Sequence, residues 1–141
     1  MAQGHGKNQY LSVKDTGGTL RNISVFIDNA EFDRQIDMSE STTVGLEDKI
    51  YLPGLNGAAI EVAGKFDDTA VTGPQVVLGG VLAAKVLSGF EFGPLGNAVG
   101  KTKYSGNCWV ERFRVSAPLE GVVKFAATLR VNGPVTVGVF P

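Results

Sequence analysis

Val123-Lys124-Phe125-Ala126-Ala127-Thr128-Leu129-Arg130-Val131-Asn132 reads as a strand with one dry and one wet side. Val123, Phe125, Ala127, Leu129 and Val131 fall on one face, and Lys124, Thr128, Arg130 and Asn132 on the other. That two-residue period marks a half-buried β-strand. Downstream, residues 135–140 form a last short strand, and upstream Pro118 to Gly121 make a turn. Before that turn, residues 104–115 are mostly strand, with Val110 out of step as at a β-bulge. Arg112 and Arg114 share one face of this strand, with Trp109 and Phe113 on the other. Residues 86–92 supply a further strand, and residues 93–100 (GPLGNAVG) a loop.

The first half repeats the theme. Residues 9–14 predict a strand, followed by the turn Asp15-Thr16-Gly17-Gly18. Ile23, Val25 and Ile27 alternate with Ser24 and Asp28, and this second strand extends to Ile36. Residues 37–48 (DMSESTTVGLED) lack apolar periodicity and predict a loop of a dozen residues, a length that inside a compact domain is usually either functional or disordered. After the punctuation of Pro53-Gly54, Ile60, Val62, Gly64 and Phe66 alternate with Ala59, Glu61, Ala63 and Lys65, so the acidic loop joins the arms of a long hairpin. The one helix candidate is residues 74–84, with Thr72 or Gly73 as N-cap, Pro74 in the first turn, and Val77, Leu78, Val81 and Leu82 on one face. Gly79-Gly80 weakens it. About seven strands and one helix predict a mostly β sandwich or barrel with a flanking helix.

The 141 residues fit a single domain, 1–141, with residues 1–8 as a flexible tail. Nineteen glycines scattered between apolar runs describe turns, not a repeat. Cys108 has no internal disulfide partner, and the N-terminal residues lack a signal-peptide core, so folding in a cytoplasm and no membrane insertion are expected. The net charge of −1 conceals sorting. Residues 28–48 carry seven acids against Arg34, whereas residues 101–130 carry six bases against Glu111 and Glu120. Such blocks are either two ordinary solvated surfaces or, since opposite charges in separate places suit it, a basis for head-to-tail association of identical copies.

Catalytic readings fail on spacing. Gly96-Asn97-Ala98-Val99-Gly100-Lys101-Thr102 has three residues between its glycines, where a phosphate-binding loop needs four and a following helix. His5, the only histidine, lies in the glycine-rich tail with nothing to orient it as a base. Cys108 beside Trp109 in a strand reads as a packed residue rather than a thiolate. Asp67-Asp68 and Glu47-Asp48 lack the alternating oxygen ligands of a calcium loop. No catalytic residue, metal site or cofactor is expected. The bases of the C-terminal half alternate with core residues rather than forming the run of a nucleic-acid site.

Five stretches in order, residues 15–24, 37–45, 51–55, 60–67 and 93–106, with residues 116–119 and 125–133 behind them, resemble the tail tube proteins of long-tailed, non-contractile bacteriophages. The resemblance implies a β-sandwich with a flanking helix, its hairpin (about residues 23–36 and 49–66) joining those of five neighbours to line a ring. Rings stack into the tube through which the genome leaves the virion. Tail-tip, tape-measure and terminator proteins would be partners, with assembly in the host cytoplasm. On this mapping Asp37, Glu40, Thr42, Thr43, Glu47 and Asp48 belong to a loop reaching the adjacent ring. Glu31, Asp33 and Glu61 are lumen candidates, where acids would keep DNA phosphates from sticking. Lys101, Lys103, Arg112 and Arg114 are candidate basic partners between subunits. Gly79-Gly80 departs from the stronger helix formers expected there. A monomeric virion decoration protein, head–tail adaptor or other soluble binding module is the alternative.

Overall fold

The computed structural model describes residues 6–68 and 70–141. The elements follow as β1 (Tyr10–Lys14), β2 (Leu20–Asn22), β3 (Ile27–Glu40), β4 (Tyr51–Lys65), α1 (Gly80–Ala84), β5 (Ser88–Gly93), β6 (Thr102–Ser116) and β7 (Lys124–Val139). All seven strands join one antiparallel sheet in the order β2-β1-β5-β6-β7-β4-β3.

The sheet is rolled. In a flat sheet β3 and β5 would lie four strand steps, about 19 Å, apart. Yet the Phe32 ring on β3 meets Phe90 and Phe92 of β5 edge-on at 6.1 and 6.0 Å, and Tyr104 of β6 at 4.9 Å. The hairpin edge has therefore curled over β5. The core inside the roll contains Leu11, Val13, Ile60, Val62, Phe90, Phe92, Phe125, Ala127 and Leu129. The helical segment adds Val77, Leu78 and Val81, all buried, with Leu82 packed against them, as its apolar face predicts.

That segment opens with one wide π-turn, Gln75–Gly79, before α1. Neither Thr72 nor Gly73 caps it with a side chain; the Gly73 carbonyl closes the first turn by accepting the Val76 and Val77 N–H groups. It ends at Lys85 in the left-handed region.

Several expectations are corrected. Ile23, Val25 and Ile27 do not form one strand, because Ser24–Phe26 is a tight 3-10 turn with Val25 exposed. Asn22 Oδ1 accepts the Ser24 N–H, and Ser24 Oγ accepts the Leu11 N–H. Such side-chain bonds compete with a ladder. Strand β3 continues through Asp37 to Glu40, so the long loop shrinks to residues 41–50. Both faces of the hairpin are wet there, so pairing leaves no apolar period to read. Pro53-Gly54 does not interrupt β4. Pro53 sits beside the Ile36/Met38 irregularity, on a stretch of β4 with β3 as its only partner, where a missing N–H is tolerated. The two C-terminal strands are one, β7, which runs through Gly133 at positive φ with a shift of register against β6. Three-residue β2, pairing with β1, is an element the periodicity did not reveal.

The β1–β2 turn is held by Asp15, which accepts the Gly17 and Thr19 N–H groups at 2.9 and 3.0 Å and Arg21 Nε at 2.9 Å. The Arg21 bond first, then the backbone donors, hold its carboxyl below the ordinary carboxylate value. A depressed folded-state pKa contributes stability above the unfolded value and loses it as pH falls through the folded one. Wild type is thus expected to exceed Asp15→Asn in urea midpoint at neutral pH, the two converging as pH falls through the carboxylate range.

Candidate assembly surface

Strands β6, β7, β4 and β3 are the four longest, at 15, 16, 15 and 14 residues, and lie side by side as a ribbon. Both margins are open. Among the described residues β3 pairs only with β4, and β6 pairs with β5 only as far as Cys108, leaving residues 109–116 with no strand partner on that side, although the helical segment also packs against β6. Exposed edges carry unpaired N–H and C=O groups and are templates for another chain.

One face of the ribbon lies on the core, through Phe32, Ile60, Val62, Leu129, Phe125, Val110 and Phe113. The opposite face is polar. Register places Glu31, Glu61, Thr128 and Arg112 in one row across the four strands, with Asn29, Ala63, Ala126 and Arg114 in the next. These residues line a shallow trough of about 250 Å³. Asp33 stands one row further along, opposite Ala59 and then Arg130. All three lumen candidates thus share a face, and so do Arg112 and Arg114.

The bulge expected at Val110 is present, since Val110 pairs with Leu129 but Arg112 with Thr128, leaving Glu111 extra. It corrects the placing of Trp109. Phe113 stacks on Phe125 at 5.7 Å on the core side, whereas Trp109 stands opposite Arg130 on the Arg112 face, 42% exposed. Exposed Arg130 holds Glu111 at 3.0 Å.

Lys103 is engaged within its own subunit, 3.3 Å from Glu91 and 5.6 Å above the Phe140 ring. Lys101 lies in the preceding turn, where its N–H donates to Ala98 and its carbonyl accepts from Phe140. That turn uses positive φ at Gly96 and Gly100 and runs into β6, with no helix behind it.

At the hairpin tip Asp37 and Glu40 are on β3, and Thr42, Thr43, Glu47 and Asp48 in the 41–50 loop. Thr42 Oγ1 accepts the Ile50 N–H and donates to Glu40, and the Thr43 carbonyl accepts from Leu46. Sequence reasoning missed the apolar content here: Ile36, Met38, Val44, Leu46, Ile50, Tyr51, Leu52 and Leu55 are all exposed. Their clustering in one hairpin was the available signal.

Cys108 is buried, and desolvation pushes its thiol up to about 12. His5 lies outside the described residues. Among the described residues no group of three or more His, Cys, Asp or Glu could hold a metal ion, and no helix is long and apolar enough to cross a membrane.

No protein-family model matches the chain, and no curated protein does. Solved structures do. A chain from the tail of an empty gene transfer agent particle, refined helically with C6 symmetry, superposes with a TM-score of 0.81 at 15% identity, covering 98% of this chain and 100% of that one. The SPP1 tail tube follows at 0.78 and 13%, covering 99% and 81%. A chain of the six-fold symmetrised anti-feeding prophage baseplate gives 0.73 and 9%, covering 99% and 97%. The fold is therefore that of tail tube subunits, with the sheet, single helical segment and long hairpin that the sequence resemblance implied.

Proposed function

We propose that the chain is the structural subunit of a virion tail tube, assembling as stacked rings around a channel for the genome and carrying no catalysis. The observation that carries this is the four-stranded ribbon open at both margins. Its strands alternate in direction, and four is even, so β6 of one copy meets β3 of the next antiparallel and the ladder continues without a fault. Six copies, after the C6 symmetry of the similar tail, make a barrel of about 24 strands whose backbone circle, at ~4.8 Å per strand, is roughly 37 Å across before tilt widens it. Closure removes every open edge of the ribbon.

With the core face turned outward, the polar face becomes the lumen wall. Glu31, Asp33 and Glu61 stand there beside Arg112, Arg114 and Arg130, so the wall mixes acids and bases. A sliding phosphate backbone gains little from counterion release on such a surface. The hairpin tip points along the channel axis toward the adjacent ring, and tail-tip, tape-measure and terminator proteins would bound the polymer.

Size-exclusion chromatography and negative-stain microscopy of the purified protein test the reading. Hollow filaments of constant width from one component are expected. A protein that remains monomeric at high concentration, with or without tail-tip seeds, would instead fit a decoration or adaptor protein.

A further inference from the structure

The charges on the polar face are sorted at the two margins of the ribbon, while β4 between them carries both Glu61 and Lys65 and β7 carries Lys124 and Arg130. Glu31 and Asp33 stand on β3 at one margin, and Glu61 on β4 beside it. Arg112 and Arg114 stand on β6 at the other margin. All five are exposed, and none takes part in a salt bridge among the described residues. Within one copy β7 and β4 separate the two margins, so Arg112 and Arg114 are not cross-strand neighbours of Glu31 and Asp33.

Resting on the tube reading, we infer that Arg112 and Arg114 of one subunit pair with Glu31 and Asp33 of the next, and that this charge sorting dictates head-to-tail closure of the ring. When β6 joins β3 of a second copy, the two sets come onto adjacent strands about 4.8 Å apart and on the same face, within cross-strand reach. The alternatives are penalised. Two copies meeting β3 to β3 set acids against acids, and β6 to β6 sets bases against bases. Either two-fold pairing would waste an edge in a closed dimer. Lys103 has no part in the junction, because Glu91 already engages it.

A charge-swap experiment separates this inference from the reading beneath it. One variant carries Arg112→Glu and Arg114→Glu, the other Glu31→Lys and Asp33→Lys. Each alone sets like charges at every junction, and its threshold concentration for filaments is expected to rise more than about tenfold. Mixed in equal amounts, the two alternate around a ring with every junction matched, so hollow filaments return; this rescue also shows that both variants are folded. Wild-type filaments with either variant polymerising alone at the wild-type threshold would overturn the inference and leave the tube reading standing. Wild-type filaments with no rescue in the mixture would overturn it too. Absence of wild-type filaments under any condition would remove both.

Discussion

Gly64→Ala is expected to destabilise the isolated subunit by about 3 kcal/mol, near the top of the range for forced overpacking. Gly64 is buried on β4 between Phe125 of β7 and the start of β3. A Cβ there would lie 1.9 Å from the Phe26 carbonyl oxygen and 2.9 Å from Ile27 Cα. Both obstacles are backbone, so no rotamer change relieves them. The Ser24–Phe26 turn that delivers β3 to the sheet would have to move, loosening the hairpin. Gly57→Ala is the control, since nothing lies within 4 Å of its Cβ position. It should leave the urea midpoint unchanged or slightly raised, because alanine lowers the entropy of the unfolded chain. Equal midpoints for the two variants, measured below the concentration for filaments, would mean that β3 does not begin against Gly64. Since a domain's whole stability is about 5–15 kcal/mol, the expected loss is a large fraction of it.

The same residue illustrates what the sequence can and cannot disclose. Gly64 falls on the inward side of the alternation Ile60, Val62, Gly64, Phe66, so its burial was legible. Its need to be glycine was not, because the crowding comes from Phe26, distant in sequence and next to it only once β3 and β4 pair. Periodicity worked wherever one face was dry, as for Phe125, Ala127 and Leu129 of β7. It failed at Asp37 to Glu40, where ladder bonds alone hold the strand and both faces are wet. It also failed at Val25, where Asn22 and Ser24 trade strand geometry for local hydrogen bonds.

The candidate site was legible in part. The alternation read from Ile23, Val25 and Ile27 would carry Glu31 and Asp33 onto the apolar side; the Ser24–Phe26 turn and the register after it place them with Glu61 on the polar face. That Arg112 and Arg114 complete the same face needed the β6–β7 register across the Glu111 bulge, which also moves Trp109 to their side. The charge blocks in the sequence pointed to separate regions. Only the strand order makes them opposite margins of one ribbon, where separation becomes directionality.

Excising residues 42–49 and joining Ser41 to Ile50 through Asn-Gly is expected to abolish filaments while leaving the subunit folded. Ser41 N–H already donates to the Ile50 carbonyl at 2.7 Å, so the excision closes on an existing rung, and a two-residue Asn-Gly turn matches the twist of the arms. The loop's own side chains contribute nothing to the core. Its unfolding free energy should therefore stay within about 0.5 kcal/mol of wild type, as for surface changes elsewhere. Assembly is another matter. Val44 is fully exposed, Leu46 and Ile50 are 46% exposed, and Tyr51, Leu52 and Leu55 continue the apolar surface down the arm. Apolar surface gathered at the end of a projecting hairpin marks a contact site, and on the tube reading its partner is the adjacent ring. Rings held only by lateral edge pairing should then appear singly, as short annuli in negative stain, with no stacked tubes. Tubes of wild-type length from the excised variant would show that stacking is carried elsewhere.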